Sequence, residues 1–240
     1  MPNGFSRKPK AIWAFLFLSC FSFQAFAEYS FYQKHVEPVG ERAFDPTSRQ
    51  ILLAGFGSTL LAQNVDSEFR DQWKDHQTMD EHTSKLGDNL VGYAVGPLIA
   101  LGQLYWDPDN GASHVRALAY TGLTTQVLKI AIGRRRPNGS DNYSMPSGHT
   151  STAFASATAL SYAYGWKVGI IAYPVATFVG MSRWADDMHW FSDTVAGAFI
   201  GMWLGRASFY APVDQPGKFT LSWVPIVQTR YQGFQISAEF

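Results

Sequence analysis

Residues 129–193 read KIAIGRRRPNGSDNYSMPSGHTSTAFASATALSYAYGWKVGIIAYPVATFVGMSRWADDMHWFSD. Three polar clusters punctuate this stretch. The first is Lys129, then six residues, then Arg136-Pro137. The second is Pro146-Ser147-Gly148-His149. The third is Ser182-Arg183, five residues, His189, three residues, Asp193. Between them lie two runs of helical length rich in Ala, Ser, Thr and apolar residues, His149 to Tyr164 and Lys167 to Met181, with Gly165 as the break.

Working outward, the helical pattern continues. Upstream, Ala112 to Ile132 reads as a helix, with Gly133 where a left-handed C-cap belongs. Asp107-Pro108-Asp109-Asn110-Gly111 reads as a turn. Leu86 to Tyr105 and Ser48 to Gln63 read as further helices, with a short one around Ser67 to Lys74. Arg134 to Met145 reads as a polar loop. Downstream, Trp190 to Ala207 is the last helix. From Phe219 to Phe240, apolar and polar residues alternate on two arms, the period of a strand. The expected fold class is therefore mainly α: a helical bundle of about six core helices with a C-terminal β-hairpin. The expected organisation is a cleaved signal peptide (1–27), an extended lead-in (28–47), a helical core (48–210) and the hairpin (211–240).

The signal rests on Arg7, Lys8 and Lys10, the apolar run Ala11 to Phe23, and the small-x-small site Ala25-Phe26-Ala27, giving a mature start at Glu28. It predicts export to the periplasm, with membrane association open. An uncleaved anchor requires a longer apolar run, and lipidation at Cys20 requires a better surrounding pattern. Cys20 is the one cysteine of the chain, so the mature protein has neither a disulfide nor a thiolate metal site. A formal charge of +0 over 240 residues, with no broad basic face, speaks against nucleic acid as a partner. Hydrophobic residues at 46% suffice for a soluble bundle with a buried core, and Gly, Ser and Thr dilute the longest charge-free runs. The 8 Trp, 11 Tyr and 18 Phe leave contact with a bilayer surface open.

Taken singly, each cluster has an ordinary structural reading. Lys129 and Arg134-Arg135-Arg136 suit the C-terminal end of a helix, in solvent. Ser147 suits an N-cap. His189 and Asp193 suit a helix-surface pair at i, i+4. Taken together they supply three cations, two imidazoles and one carboxylate. Lys129 is flanked by Val127, Leu128, Ile130 and Ile132, so an inward lysine would need an anion. A helix beginning at Ser147-Gly148 offers free amides to that anion. A carboxylate one turn from His189 fixes its tautomer and leaves the other nitrogen as a lone-pair donor.

The three clusters resemble the full three-part signature of the type 2 phosphatidic acid phosphatase superfamily, which also includes bacterial non-specific acid phosphatases and vanadium haloperoxidases. Every motif position is matched, and the resemblance extends over a core from Ser48 to Ala207. It implies that His189 attacks phosphorus and forms a phosphohistidine, that Asp193 orients His189, and that His149 protonates the leaving oxygen and then activates water. Lys129, Arg136 and Arg183 would hold the non-bridging oxygens, with Ser147 and the Gly148 amide. Three fixed cations serve where other enzymes use metals, so no metal and no other cofactor is expected. The acidic pair Asp186-Asp187 is expected in solvent.

The expected activity is hydrolysis of phosphomonoesters or diphosphates, with a lipid as the leading substrate. A soluble acid phosphatase acting on small esters is the alternative. A vanadate-dependent haloperoxidase and a non-catalytic phosphate- or lipid-binding envelope protein are further readings, the last disfavoured by two imidazoles a binder does not need. The expected partner is the phosphate ester itself, as a lipid at a membrane surface or as a small molecule. Oligomeric state is left open.

Overall fold

The computed structural model describes residues 36–75, 79–209, 220–228 and 231–239. The expected export signal over residues 1–27 and the first part of the lead-in lie outside these residues. Nine α-helices and one π-helical segment make up the described body. They are α1 (Glu37–Ala43), α2 (Pro46–Gln63), α3 (Asp66–Asp75), α4 (Glu81–Lys85), the π segment (Leu86–Val95), α5 (Gly96–Trp106), α6 (Pro108–Ile132), α7 (Gly148–Tyr164), α8 (Trp166–Ala185) and α9 (Phe191–Ala207).

The central pair is α7 against α9, flanked by α8, α6 and α2. Sequence explains the closeness. The buried residues of α7 are small: Thr150, Ser151, Ala153, Ala155, Ser156, Ala157, Thr158 and Ala159. Across from them α9 carries Gly197, Gly201 and Gly205, four apart and therefore on one face. A Cβ at Gly197 would stand 2.7 Å from the Ser147 carbonyl oxygen. The two backbones touch because no side chain separates them, and this sets α9 directly on the N-terminus of α7.

Helix ends follow local chemistry. Gly133 closes α6 at φ 60° and ψ 33°, donating its N–H to Lys129 O at 3.1 Å. Asp45 caps α2 by accepting from Ser48 N at 2.7 Å. An aromatic cluster of Phe69 and Trp73 from α3, Trp184 from α8 and Phe191 from α9 ties three helices together beside the polar loop.

Several expectations need correction. The lead-in is not extended throughout, because Glu37–Ala43 is helical and buries Val39 and Ala43 against Ala207. The five-residue turn at Asp107 shrinks to Asp107 itself; Pro108 starts α6, where its fixed φ suits the first helical position. The helix expected from Leu86 to Tyr105 is a π segment as far as Val95, and α only from Gly96.

The β-hairpin is not part of the fold class, which is mainly α. The described helical body, Glu37 to Ala207, contains no strand. Beyond it, the backbones of β1 (Thr220–Gln228) and β2 (Tyr231–Glu239) run antiparallel, with Trp223 opposite Ile236. Their contacts are chiefly with each other. Alternation in sequence registers a local backbone habit. It does not supply the third strand or helix that a two-stranded ribbon needs for stability.

Small and polar residues fill the interior, while Leu53, Phe56 and Leu61 of α2, Leu101 and Tyr105 of α5, and Ile170 and Ile171 of α8 are exposed, Tyr105 to 92%. Among the described residues, no helix is long and apolar enough to cross a membrane.

Candidate active site

Four segments converge beside the α7–α9 contact: the end of α6, the loop before α7, the end of α8 and the start of α9. Lys129, one turn from the end of α6, is turned inward and only 8% exposed. Its Nζ donates to Tyr143 O at 2.5 Å and approaches Ser144 O at 3.4 Å. Burial and the neighbouring Arg136 charge lower its pKa to about 8.

Arg136 is anchored by three contacts. Its Nε donates to Asp141 Oδ1 at 2.8 Å, and its Nη1 donates to Met188 O at 3.0 Å and lies 3.2 Å from His189 Nε2. His189 sits just before α9 and is buried, its pKa pushed down to about 4, first by burial and then by the Lys129 and Arg136 charges against the opposing pull of Asp193. Its Nδ1 stands 3.6 Å from Asp193 Oδ2 and makes no hydrogen bond. At that distance the pair is an electrostatic contact. Nε2 consequently faces the cations, and Nδ1 faces the carboxylate.

Asp193 is fully buried at the third position of α9. Oδ2 accepts from Trp190 N at 2.9 Å and from Ser144 Oγ; Oδ1 accepts from Arg134 Nη1 at 2.8 Å. Burial alone would raise its pKa, but these donors and His189 outweigh it and hold the carboxyl below its usual range. Ser147 N donates to Asp193 O at 2.9 Å, locking the second cluster onto the third.

Ser147 occupies the N-cap position of α7, but its hydroxyl does not cap the helix; it accepts from Thr150 Oγ1 at 2.9 Å. Gly148 is the first residue of α7, and His149 follows. Burial first, then the charges of Arg183, His189, Lys129 and Arg136, depress the His149 pKa to about 3. The first and third sequence clusters therefore act on the imidazole of the second.

Arg183, buried near the end of α8, donates Nη1 to Asp88 Oδ1 at 2.5 Å and Nη2 to Asp186 Oδ2 at 2.8 Å. Asp88 Oδ1 also lies 2.8 Å from His149 Nε2. Asp88 belongs to the π segment, which approaches α8 closely at Gly87: a Cβ there would meet Ser182 Oγ at 2.6 Å. π segments recur at functional sites.

Every residue singled out from the sequence thus lies in this one region. Six others that lie there were not assigned to the site. Arg134 reads locally as one of three equivalent arginines. Asp66, Asp88 and Ser144 carry no local signal. Asp186 and Asp187, expected in solvent, are paired instead: Asp186 with Arg183 and Ser84, Asp187 with Arg70 at 2.6 Å and Lys74 at 2.8 Å. Those pairs pin α3 and α4 to the end of α8. Among the described residues, no group of three His, Cys, Asp or Glu side chains is arranged to hold a metal ion.

Residues 110–216 match the model of the PAP2 superfamily. The chain is 38% identical over 101 residues to the lipid A 1-phosphatase of Porphyromonas gingivalis, covering 41% of this chain and 23% of that protein. It is 34% identical over 110 residues to the lipid A 1-phosphatase of Rhizobium etli, covering 39% of this chain and 46% of that one. The chain spans less than half the length of either relative. The crystal structure of a transmembrane PAP2-type phosphatidylglycerolphosphate phosphatase from Bacillus subtilis has a similar fold, with TM-score 0.51 and 20% identity over 65% of this chain and 92% of that one.

Proposed function

We propose that the chain, whose residues 110–216 match the PAP2 superfamily model, is a member of that superfamily and an exported, metal-independent phosphatase of lipid phosphate esters acting through a phosphohistidine. The observation that carries this reading is the buried pair His189–Asp193, with His189 Nε2 directed at Arg136 and His149 beside Arg183.

In the first step His189 Nε2 forms a bond to phosphorus as the bond to the ester oxygen breaks, and His149 gives that oxygen a proton. Asp193 balances the charge that develops on His189. Lys129, Arg136 and Arg183 hold the non-bridging oxygens with the amides at the start of α7. In the second step water attacks phosphorus, the phosphorus–nitrogen bond breaks, and His149 takes the water's proton. Without an anion both imidazoles are neutral at pH 7. A bound phosphate dianion offsets the three cations and favours the protonated His149 that the first step needs.

A lipid substrate is supported by the names of the relatives and by the exposed apolar residues of α2, α5 and α8, which suit contact with a bilayer. Export is supported by the basic and apolar pattern of residues 1–27. Phosphate release by the full chain in chelator, on phosphatidic acid, a lipid A 1-phosphate and p-nitrophenyl phosphate, tests the proposal beside a His189→Ala control. Release from the lipids that vanishes in the control is expected. Release that persists in the control, or that requires added metal, contradicts it.

A further inference from the structure

Arg134 belongs neither to the cations around the anion site nor to solvent. Its guanidinium joins three segments distant in sequence. Nη1 donates to Asp193 Oδ1 at 2.8 Å and to Ser192 Oγ at 2.7 Å, and Nη2 donates to Asp66 Oδ2 at 2.7 Å. Its face lies over Trp190, with Cζ 5.3 Å from the ring centroid. Asp66, the first residue of α3, is 4% exposed and accepts from Ser192 N at 2.8 Å and Ser192 Oγ at 2.6 Å.

The geometry has a consequence for Asp193. Ser144 and Trp190 already occupy Oδ2, so the Arg134 contact on Oδ1 fixes the rotation of the carboxylate about its own axis. The oxygen left facing His189 Nδ1 is then always Oδ2. Asp66 limits what Arg134 takes. A guanidinium free to fork around one carboxylate would place two N–H groups on Asp193. Here one arm is held by Asp66, so Asp193 receives a single N–H from Arg134 and keeps its charge available to His189.

We propose that Arg134, held by Asp66, is a positioning residue that fixes the Asp193 carboxylate in the orientation facing His189. The proposal rests on the reading of His189 as nucleophile. Arg134 is not assigned to substrate: both its Nη atoms are engaged, by Asp66 of α3 and by Ser192 and Asp193 of α9.

The test is steady-state kinetics on the full chain for Arg134→Gln, Arg134→Lys, Asp66→Asn, Asp193→Asn and the double variant Arg134→Gln/Asp193→Asn, with inorganic phosphate as competitive inhibitor and thermal melts alongside. Arg134→Gln is expected to lower kcat roughly 10- to 100-fold, the usual effect of removing a partner that orients a reacting group. KM and phosphate inhibition should stay within about twofold, and Lys should restore part of the loss. Removing this cation also moves the acid limb of the pH–rate profile to higher pH, because it leaves His189 easier to protonate. The double variant should be no slower than Asp193→Asn alone, since a residue acting through Asp193 has nothing left to act on. Effects that multiply in the double variant, a main effect on phosphate inhibition, or full kcat in the folded fraction of Arg134→Gln would each overturn the proposal. If Arg134→Gln fails to fold, Arg134→Lys and Asp66→Asn carry the same comparison. Wild-type rates in Asp193→Asn would instead overturn the parent reading.

Discussion

Asp193 Oδ2 faces His189 Nδ1 at 3.6 Å while accepting the Trp190 N–H at 2.9 Å. The same oxygen that closes the first turn of α9 is the one that meets the imidazole, so helix capping and the orientation of the proposed nucleophile are one arrangement. Asp193→Asn is predicted to lower kcat by about 10²–10⁴-fold with little change in KM, as loss of an orienting carboxylate does in catalytic triads. Its Tm should fall as well. The amide NH2 must face either the Arg134 guanidinium or the Trp190 N–H, neither of which can accept, so one of these donors loses its partner. Steady-state rates and a thermal melt check both points.

Asp88 places one oxygen against Arg183 and His149, two groups proposed to act on the substrate. A phosphate entering between them must displace that carboxylate. Asp88→Asn is therefore predicted to tighten inhibition by inorganic phosphate about tenfold, equivalent to about 1.4 kcal/mol. Weaker inhibition in the variant would mean that Asp88 supports His149 and does not compete with the anion.

Lys129 titrates near 8 because burial and Arg136 oppose its charge. Its cation is present below that value and lost as pH rises through it. The kcat/KM profile should therefore fall on a basic limb near pH 8. Lys129→Arg should move that limb upward by about two units or more, because a guanidinium stays charged throughout the range. A limb that stays in place in the variant assigns it to another group.

Gly197 lies where α9 crosses the N-terminus of α7, and its Cβ position is 2.7 Å from Ser147 O and 3.3 Å from Ser151 N. Both neighbours are backbone and cannot rotate away. Gly197→Ala is predicted to destabilise the fold by about 1–3 kcal/mol, the range for overpacking, read as a lower Tm or denaturant midpoint. Activity should fall further than the folded fraction does, because the displaced segment carries Ser147 to His149.

Much of this was legible in the sequence, for local reasons. Gly133 marks the end of α6 because a left-handed cap needs glycine. His189 and Asp193 are four apart, and the helix that starts between them brings the imidazole to its first turn. Lys129 is buried although Val127, Ile130 and Ile132 beside it are exposed, so its apolar neighbours are not what buries it. What could not be read depends on distant partners. Arg134 is distinguished from Arg135 only by Asp66, 68 positions away, and by the first turn of α9. Asp187 looks solvated until Arg70 and Lys74 are brought to it by α3. The π segment has no sequence period of its own. The outward placement of large apolar residues is not legible because helical periodicity gives a face and not the medium that face meets. The β alternation after Phe219 likewise gives a local backbone habit and not a place in the helical fold.

The central claim is a covalent phosphate on His189. The most direct measurement is brief mixing of the full chain with a 32P-labelled lipid phosphate, followed by denaturing quench and separation. Radioactivity bound to the wild-type chain, stable in alkali, released by acid and missing from His189→Ala, is the predicted result. Turnover of the substrate with no bound label, or label that survives acid or persists in His189→Ala, would contradict it.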